Sequence, residues 1–463
     1  MSNHPRVESG LRRWRHRSPG DLSVELPEAQ ATPVEPALVA TAAAARSWAR
    51  TPLVERVAAL RAAKLAIAAE KEELACAIAL ETGKPLTEAR GELGAVLAKF
   101  DFTIEDAEAH LAVREVTGGP HPALVRHAAR GPAVVIAPFN FPLHLGNGAL
   151  LAYLIAGNPV IFKPSPLAAG VAGRYAELLR GCFPPGVFEV VQGWGEEGQA
   201  LCLDPRVRAI CFTGSVPVGR ALTKALGEDF SKDLALELGG RNAAIVCADA
   251  DLAVAARAVA DAMSLTCGQR CNATSRILVD RSVAEEFSTL LATELATYVP
   301  GSPLSETTKL GPLISAVAVE RYASLLAEHN DWIVPGRVVR EADGKQGHYV
   351  LPAVRRGATR ADVECFVPIA DFDTFVDLDE AVAKNNASPF GLTASIFTRS
   401  AEIFRAVGDE LNVGNLYANL PTTFSPSTLP FGGWGQSGNG HPGGKGFVRF
   451  CTVEQAVQVQ GLR

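Results

Sequence analysis

Between Val134 and Gly240 the chain repeats one pattern, a short apolar run followed by a helical stretch. "AVVIAP" precedes "GNGALLAYLIAG", "PVIFKPS" precedes "AGRYAELLRGC" and "GVFEVVQG" precedes "GQALCLDP". "VRAICFTG" and "VGRALTKAL" follow before "DLALELGG". Runs this short and this apolar read as strands buried on both faces, with helices crossing between them. The rhythm predicts βαβ units and a parallel sheet. Such a sheet takes its ligands at the carboxyl ends of its strands, so the residues that end these runs are the first candidates for function.

The chain has 463 residues, too many for one ordinary core, and two or three domains are expected. Residues 36 to 80 read as mostly helix, stopping at Gly83 and Pro85, and a second helical stretch runs from Leu86 to His110. "ALVRHAARGPAVVIAP" should contain strands. Past Asn242, "NAAIVCADA", "SRILVD", "YVLPAVRR" and "ASIFTR" read as further strands, separated by helices such as Val283 to Tyr298, and predict a second α/β domain. Phe447 to Val459 reads as an extended apolar strand with no evident partner. There is no internal repeat and no low-complexity linker.

The net charge of −6 gives no electrostatic case for nucleic acid or an anionic membrane. The basic stretch "LRRWRHR", Leu11 to Arg17, is expected to be a solvated terminal arm. There is no apolar leader segment, and the longest apolar candidate, "GALLAYLIAGNPVIF", is broken by Gly157, Asn158 and Pro159. The nine cysteines show neither CxxC nor Cys/His ligand spacing, so no metal is expected, and reduced thiols in a cytoplasmic setting are.

Five segments carry candidate chemistry. "FTGSVPVGR", Phe212 to Arg220, ends a strand, turns through Gly214 and Ser215, and reaches Gly219 as a helix begins. Two glycines before a free helix N-terminus make a seat for a pyrophosphate, although an ordinary tight turn has the same composition. Lys163 in "FKPSP" ends a strand, where it reaches a ribose or phosphate or is merely solvated. "PFNFP" fixes Asn140 between prolines, which makes it a candidate oxyanion donor or a turn asparagine. "LELGG" sets Glu237 in an apolar strand, where a carboxylate has a raised pKa and suits a general base; a salt-bridged core glutamate is the alternative. "TCGQRC", Thr266 to Cys271, is half a metal site, a redox pair, or one working thiol beside a spectator. No His or further Cys lies at ligand spacing nearby. Gly268 permits close approach, and an exposed Cys271 with a base nearby is a nucleophile, whereas a lone cysteine is otherwise a small buried hydrophobe.

In this order, Asn140, Lys163, the Gly214 to Gly219 loop, Glu237 and Cys271 resemble the aldehyde dehydrogenase superfamily, from about residue 40 to the end of the chain. "ECFVP", Glu364 to Pro368, is similar to the family's E-x-F-G-P with Val367 in place of glycine, and "PFGLTASIFT" and "LPFGGWGQSGNG" also match. The resemblance implies an α/β fold with a Rossmann-type cofactor domain (1–114 and 133–242), an α/β catalytic domain (243–440) and a small β oligomerisation element (115–132 and 441–463). It implies a homodimer or homotetramer acting on a small-molecule aldehyde. Cys271 is then the nucleophile, Asn140 and the Cys271 N–H the oxyanion donors, and Glu237 the base that activates water against a thioester.

The resemblance also assigns cofactor contacts. Lys163 and Ser165 would meet the adenine ribose, and Phe212, Gly214, Ser215, Val216, Pro217, Val218 and Gly219 would surround the pyrophosphate. Glu364 would bind the nicotinamide ribose, with Phe366 beside the ring. Pro166 stands where many NAD-using members carry a glutamate that would repel a 2′-phosphate. Nothing obvious in the sequence replaces it as a phosphate ligand, so NAD is expected first and NADP second. Cys267, where the family often carries serine, reads as a filler that oxidation could join to Cys271. "NFPLHLGNG", "LELGGRN", "GQRC" and "TTFSPSTLPFGGWGQSGNGHP" lean toward the arginine-catabolic members, with N-succinylglutamate 5-semialdehyde as substrate. Other semialdehydes, acyl transfer to CoA and a non-catalytic protein keeping the fold are the alternatives. The presence of Glu237 favours water over CoA as the acceptor.

Overall fold

The computed structural model of the chain describes residues 6–8, 11–119, 121–357 and 362–460. Residues 1–5, 9–10, 120, 358–361 and 461–463 of the units assigned from the sequence lie outside the described residues.

The predicted rhythm forms one sheet. Its parallel strands lie in the order Phe188–Val190, Val160–Lys163, Ala133–Ile136, Ala209–Thr213 and Asp233–Glu237, and Gly438–Asn439 adds an antiparallel edge. The first strand in the chain, Ala133–Ile136, therefore lies between the second and the fourth. The winding reverses there, which opens a crevice above the carboxyl ends of the two central strands. Alternate side chains serve opposite faces. Val135 and Phe162 join a core with Leu60, Leu93, Leu150 and Tyr175 from the helices on one side. Val134 and Ile161 join Leu38, Leu201 and Leu222 on the other.

A second sheet has the order Trp332–Val334, Ala353–Arg356, Ile369–Phe375, Thr274–Asp280, Asn242–Val246, Thr393–Phe397 and Asn415–Ala418, parallel except for its first strand. Only Leu238–Arg241 separates the last parallel strand of the first sheet from a central strand of the second. A Cβ added at Gly239 would stand 2.2 Å from Glu364 Oε2, and one at Gly240 2.5 Å from the Cys271 carbonyl oxygen. The double glycine is thus what lets the two sheets close on one point. Buried Arg241 pairs there with Asp371, which also pairs with buried Arg355.

Thr452–Gln458 runs antiparallel to Ala123–Ala129, which pairs in turn with Arg114–Val116. The tail is not one continuous strand, however. Phe447–Phe450 is a helical turn, because Phe447 and Val448 are buried and Phe447 packs edge-on against Tyr153 at 5.7 Å. "YVLPAVRR" likewise divides into two strands, Lys345–Val350 and Ala353–Arg356, in different sheets.

The basic arm also differs from expectation. Leu11–Trp14 is a strand, and its alternation turns Trp14 inward, to 7% exposure, against Ala31, Ala169 and Trp194. Arg13, Arg15 and Arg17 point outward, with more than half of each side chain exposed. A solvated arm has no such two-residue period. Among the described residues no helix is long and apolar enough to cross a membrane.

Candidate active site

A cleft of about 970 Å³ lies over the carboxyl ends of the first sheet and extends to the joint with the second. At one end stand Lys163, Ser165 and Pro166, in the middle Phe212, Gly214 and Ser215, and at the other end Asn140, Glu237 and Cys271. Pro217, Val218, Glu364 and Phe366 also line it. Of the residues singled out from the sequence, Val216 and Gly219 do not. Val216, the first residue of helix Val216–Leu226, is buried in the core with Val134 and Ile161. A Cβ at Gly219 would stand 2.8 Å from Leu238 Cδ2, so this glycine serves close packing of the helix on the sheet.

The far end is rich in unspent donors. Lys163 Nζ donates to Pro164 O at 3.1 Å and Gly193 O at 2.6 Å, leaving its third proton, and burial lowers its pKa to about 8. Ser165 Oγ accepts from the Leu167 N–H at 3.3 Å, which keeps its own proton for donation. Helix Val216–Leu226 begins at Ser215, whose side chain makes no capping bond, so the positive end of the helix is not capped by it.

The cysteine loop is held from three sides. After helix Leu252–Ser264 the backbone passes through Thr266, Cys267 and Gly268 with φ of 53°, 54° and 67°, three successive left-handed residues. Strain of this kind persists only where the surroundings over-determine it. Here a Cβ at Gly268 would stand 2.6 Å from Pro368 N, so the loop is pressed against the Glu364–Pro368 segment. Asn140 Nδ2 donates to Gln269 O at 2.8 Å, and Asn242 Nδ2 donates to Cys271 O at 2.8 Å. One amide proton of Asn140 is left to donate into the cleft.

Burial pushes the Cys271 thiol well above the ordinary range; Glu237 and Glu364 add to this and Arg270 opposes it. Burial also raises Glu237 to about 8, and neither of its carboxylate oxygens has a partner among the described residues. Glu364 rises to about 7 through burial, opposed by the Gly240 N–H that it accepts at 3.2 Å. A neutral thiol beside an unpaired base of this strength, with a fixed amide donor, is suited to attack on a carbonyl. Cys267 is different: it is fully buried in the core of the second sheet, and burial raises its thiol as well. Among the described residues no three His, Cys, Asp or Glu side chains gather as a metal site.

Sequence reasoning passed over Arg12, Trp194 and Glu196, which line the far end of the cleft, and Arg321, which also lines it and donates to the Glu364 carbonyl. It also passed over Asn242 as a holder of the cysteine loop. The two-residue alternation of the arm was the available signal for Arg12.

A doubly wound sheet whose cleft runs to a cysteine carried by a second α/β sheet defines an oxidoreductase of the dehydrogenase class. The chain belongs to the aldehyde dehydrogenase family, which it matches over residues 12–457. It is 34% identical over 451 residues to N-succinylglutamate 5-semialdehyde dehydrogenase 1 of Caulobacter vibrioides, covering 96% of this chain and 94% of that protein. It is 33% identical over 443 residues to N-succinylglutamate 5-semialdehyde dehydrogenase of Burkholderia thailandensis, covering 92% and 89%. The crystal structure of an NAD-dependent aldehyde dehydrogenase from Sinorhizobium meliloti superposes with a TM-score of 0.91 at 31% identity, covering 96% of this chain and 91% of that one. The protein is thus an enzyme that oxidises aldehydes.

Proposed function

We propose that the enzyme oxidises N-succinylglutamate 5-semialdehyde to N-succinylglutamate with NAD as hydride acceptor, through a thioester on Cys271. The observation that carries this reading is the one continuous cleft that runs from Lys163, past Ser215, to Asn140, Glu237 and Cys271. The relatives' names supply the substrate. NAD fits the polar groups present: Lys163 and Ser165 suit a ribose, the uncapped helix end at Ser215 suits a pyrophosphate, and the half-buried Glu364 carboxylate suits a second ribose.

In this reading Glu237 takes the proton of the Cys271 thiol. The thiolate bonds to the aldehyde carbon, and the displaced electron pair rests on oxygen, held by the Asn140 amide and the Cys271 N–H. The chemistry that bound NAD supplies is hydride acceptance, which converts the hemithioacetal into a thioester. Glu237 releases that proton to solvent and then takes one from water; the hydroxide adds to the thioester carbon, and the Cys271 thiolate leaves as the acid forms and regains its proton from Glu237. The presence of Glu237 as a deacylation base favours water over CoA as acceptor, and neither of its oxygens has a partner among the described residues. A division into cofactor (1–114 and 133–242), catalytic (243–440) and oligomerisation (115–132 and 441–463) units is supported by the two large sheets and by the sheet of Arg114–Val116, Ala123–Ala129 and Thr452–Gln458, although Gly438–Asn439 edges the first large sheet. The outer edge of Thr452–Gln458 is the surface for a second copy, in a dimer or tetramer. Nine free cysteines suit a reducing, cytoplasmic setting.

A steady-state panel of N-succinylglutamate semialdehyde, succinate semialdehyde and unbranched aliphatic aldehydes tests this reading. The highest kcat/KM is expected for N-succinylglutamate semialdehyde, and a clear preference for the aliphatic aldehydes overturns the substrate assignment.

A further inference from the structure

We propose that Arg12 recognises the 2′ position of the adenine ribose and lets the cleft take a dinucleotide carrying a 2′-phosphate, NADP, alongside NAD. The proposal rests on the reading of the cleft as a dinucleotide site.

Arg12 lines the same cleft as Lys163, Ser165 and Pro166. Its place is fixed by its neighbours. Two residues on, Trp14 is buried, donates its indole N–H to Pro166 O at 3.1 Å, and meets Trp194 edge-on at 6.0 Å. The Arg12 carbonyl itself accepts from the Ala31 N–H at 2.8 Å. The strand is thereby pinned beside the Ser165–Pro166 turn, where Pro166 brings neither a charge nor an N–H.

The guanidinium pairs with Glu196, and the pair is lopsided: 26% of the Arg12 side chain is exposed against 74% of Glu196. An ion pair with so exposed a partner is weak, so the carboxylate can return to water at little cost. A phosphate monoester carries about −1.5 to −2 charges and three acceptor oxygens. Arg12 makes a single hydrogen bond to Glu196, whereas a phosphate held by two parallel hydrogen bonds also carries the larger charge, and it therefore displaces the carboxylate. Glu197 does not compete, because its Oε2 accepts the Trp194 N–H at 2.7 Å and caps the helix Gly195–Leu203. Glu196 is then the group that weakens phosphate binding, and its removal should strengthen it.

Dissociation constants for NADP and NAD, measured by titration calorimetry at one ionic strength, test this on the wild type, Arg12→Ala and Glu196→Gln. The expected result is measurable NADP binding by the wild type. Arg12→Ala should raise the ratio of the NADP to the NAD constant by about tenfold or more, and Glu196→Gln should lower it by about threefold. A ratio in Arg12→Ala within about twofold of wild type, or a wild type that binds NAD and not NADP, overturns the proposal and leaves the dinucleotide site standing. A wild type that binds neither nucleotide removes the site reading, and this proposal with it.

Discussion

Asn242 Nδ2 donates to the carbonyl oxygen of Cys271 at 2.8 Å, so the strand that follows Glu237 after Leu238–Arg241 holds the nucleophile loop. The same side chain donates to Ala273 O at 2.9 Å and accepts from the Thr393 N–H at 3.1 Å. Asn242→Ala removes a hydrogen-bond partner from three backbone groups that are buried or partly buried. It should cost about 2–4 kcal/mol of stability and lower kcat more than it raises KM. Denaturant unfolding together with steady-state kinetics checks both.

Asn140 is tied to the same loop through Gln269 O, which fixes where its remaining amide proton can point. In Asn140→Ala the developing oxyanion keeps only the Cys271 N–H. A fall in kcat of about 10²–10³ is expected, with KM much less affected. Rapid-quench measurement of the acylation step assigns the loss to attack on the aldehyde.

Glu237 makes stability depend on pH. Burial raises it from an ordinary 4.5 to about 8. Below 4.5 the folded and unfolded chains both hold the proton, and the contribution is fully present. Between 4.5 and 8 only the folded chain holds it, so stability falls as pH rises, and the loss is complete above about 8. Glu237→Gln removes this term, on the order of a few kcal/mol. The Tm of the variant relative to wild type should therefore increase from pH 5 to pH 9 in thermal scans, while Glu364, raised to about 7, titrates in both proteins and cancels.

Much of this architecture was legible because the strands of a sheet covered on both faces must be continuously apolar, and the helices between them must be amphipathic. Helix Leu86–His110 has the bounds read from the sequence, with Pro85 fixing its start. Glu237 was legible as a buried carboxylate because its strand carries apolar residues around it. Arg12 was not: its surroundings, Pro166, Trp194 and Glu196, lie more than 150 residues away, and its run of positive charge masks the alternation that buries Trp14. Asn242 stood inside a recognised motif, yet its bonds go to a loop brought near only by the second sheet. Gly219 shows the converse, since a glycine before a helix has the same signature whether a phosphate or a leucine comes close.

The central claim, that Cys271 carries the acyl group and Glu237 frees it, is tested most directly by intact-protein and peptide mass spectrometry of Glu237→Gln quenched soon after mixing with aldehyde and NAD. Because the variant also lacks the group that takes the thiol proton, the account predicts a slowed NADH phase that stops at no more than one per active site, with an acyl adduct on the peptide containing Cys271 that is absent from Cys271→Ala. Sustained wild-type turnover in Glu237→Gln with no adduct, or full activity in Cys271→Ala, would contradict it.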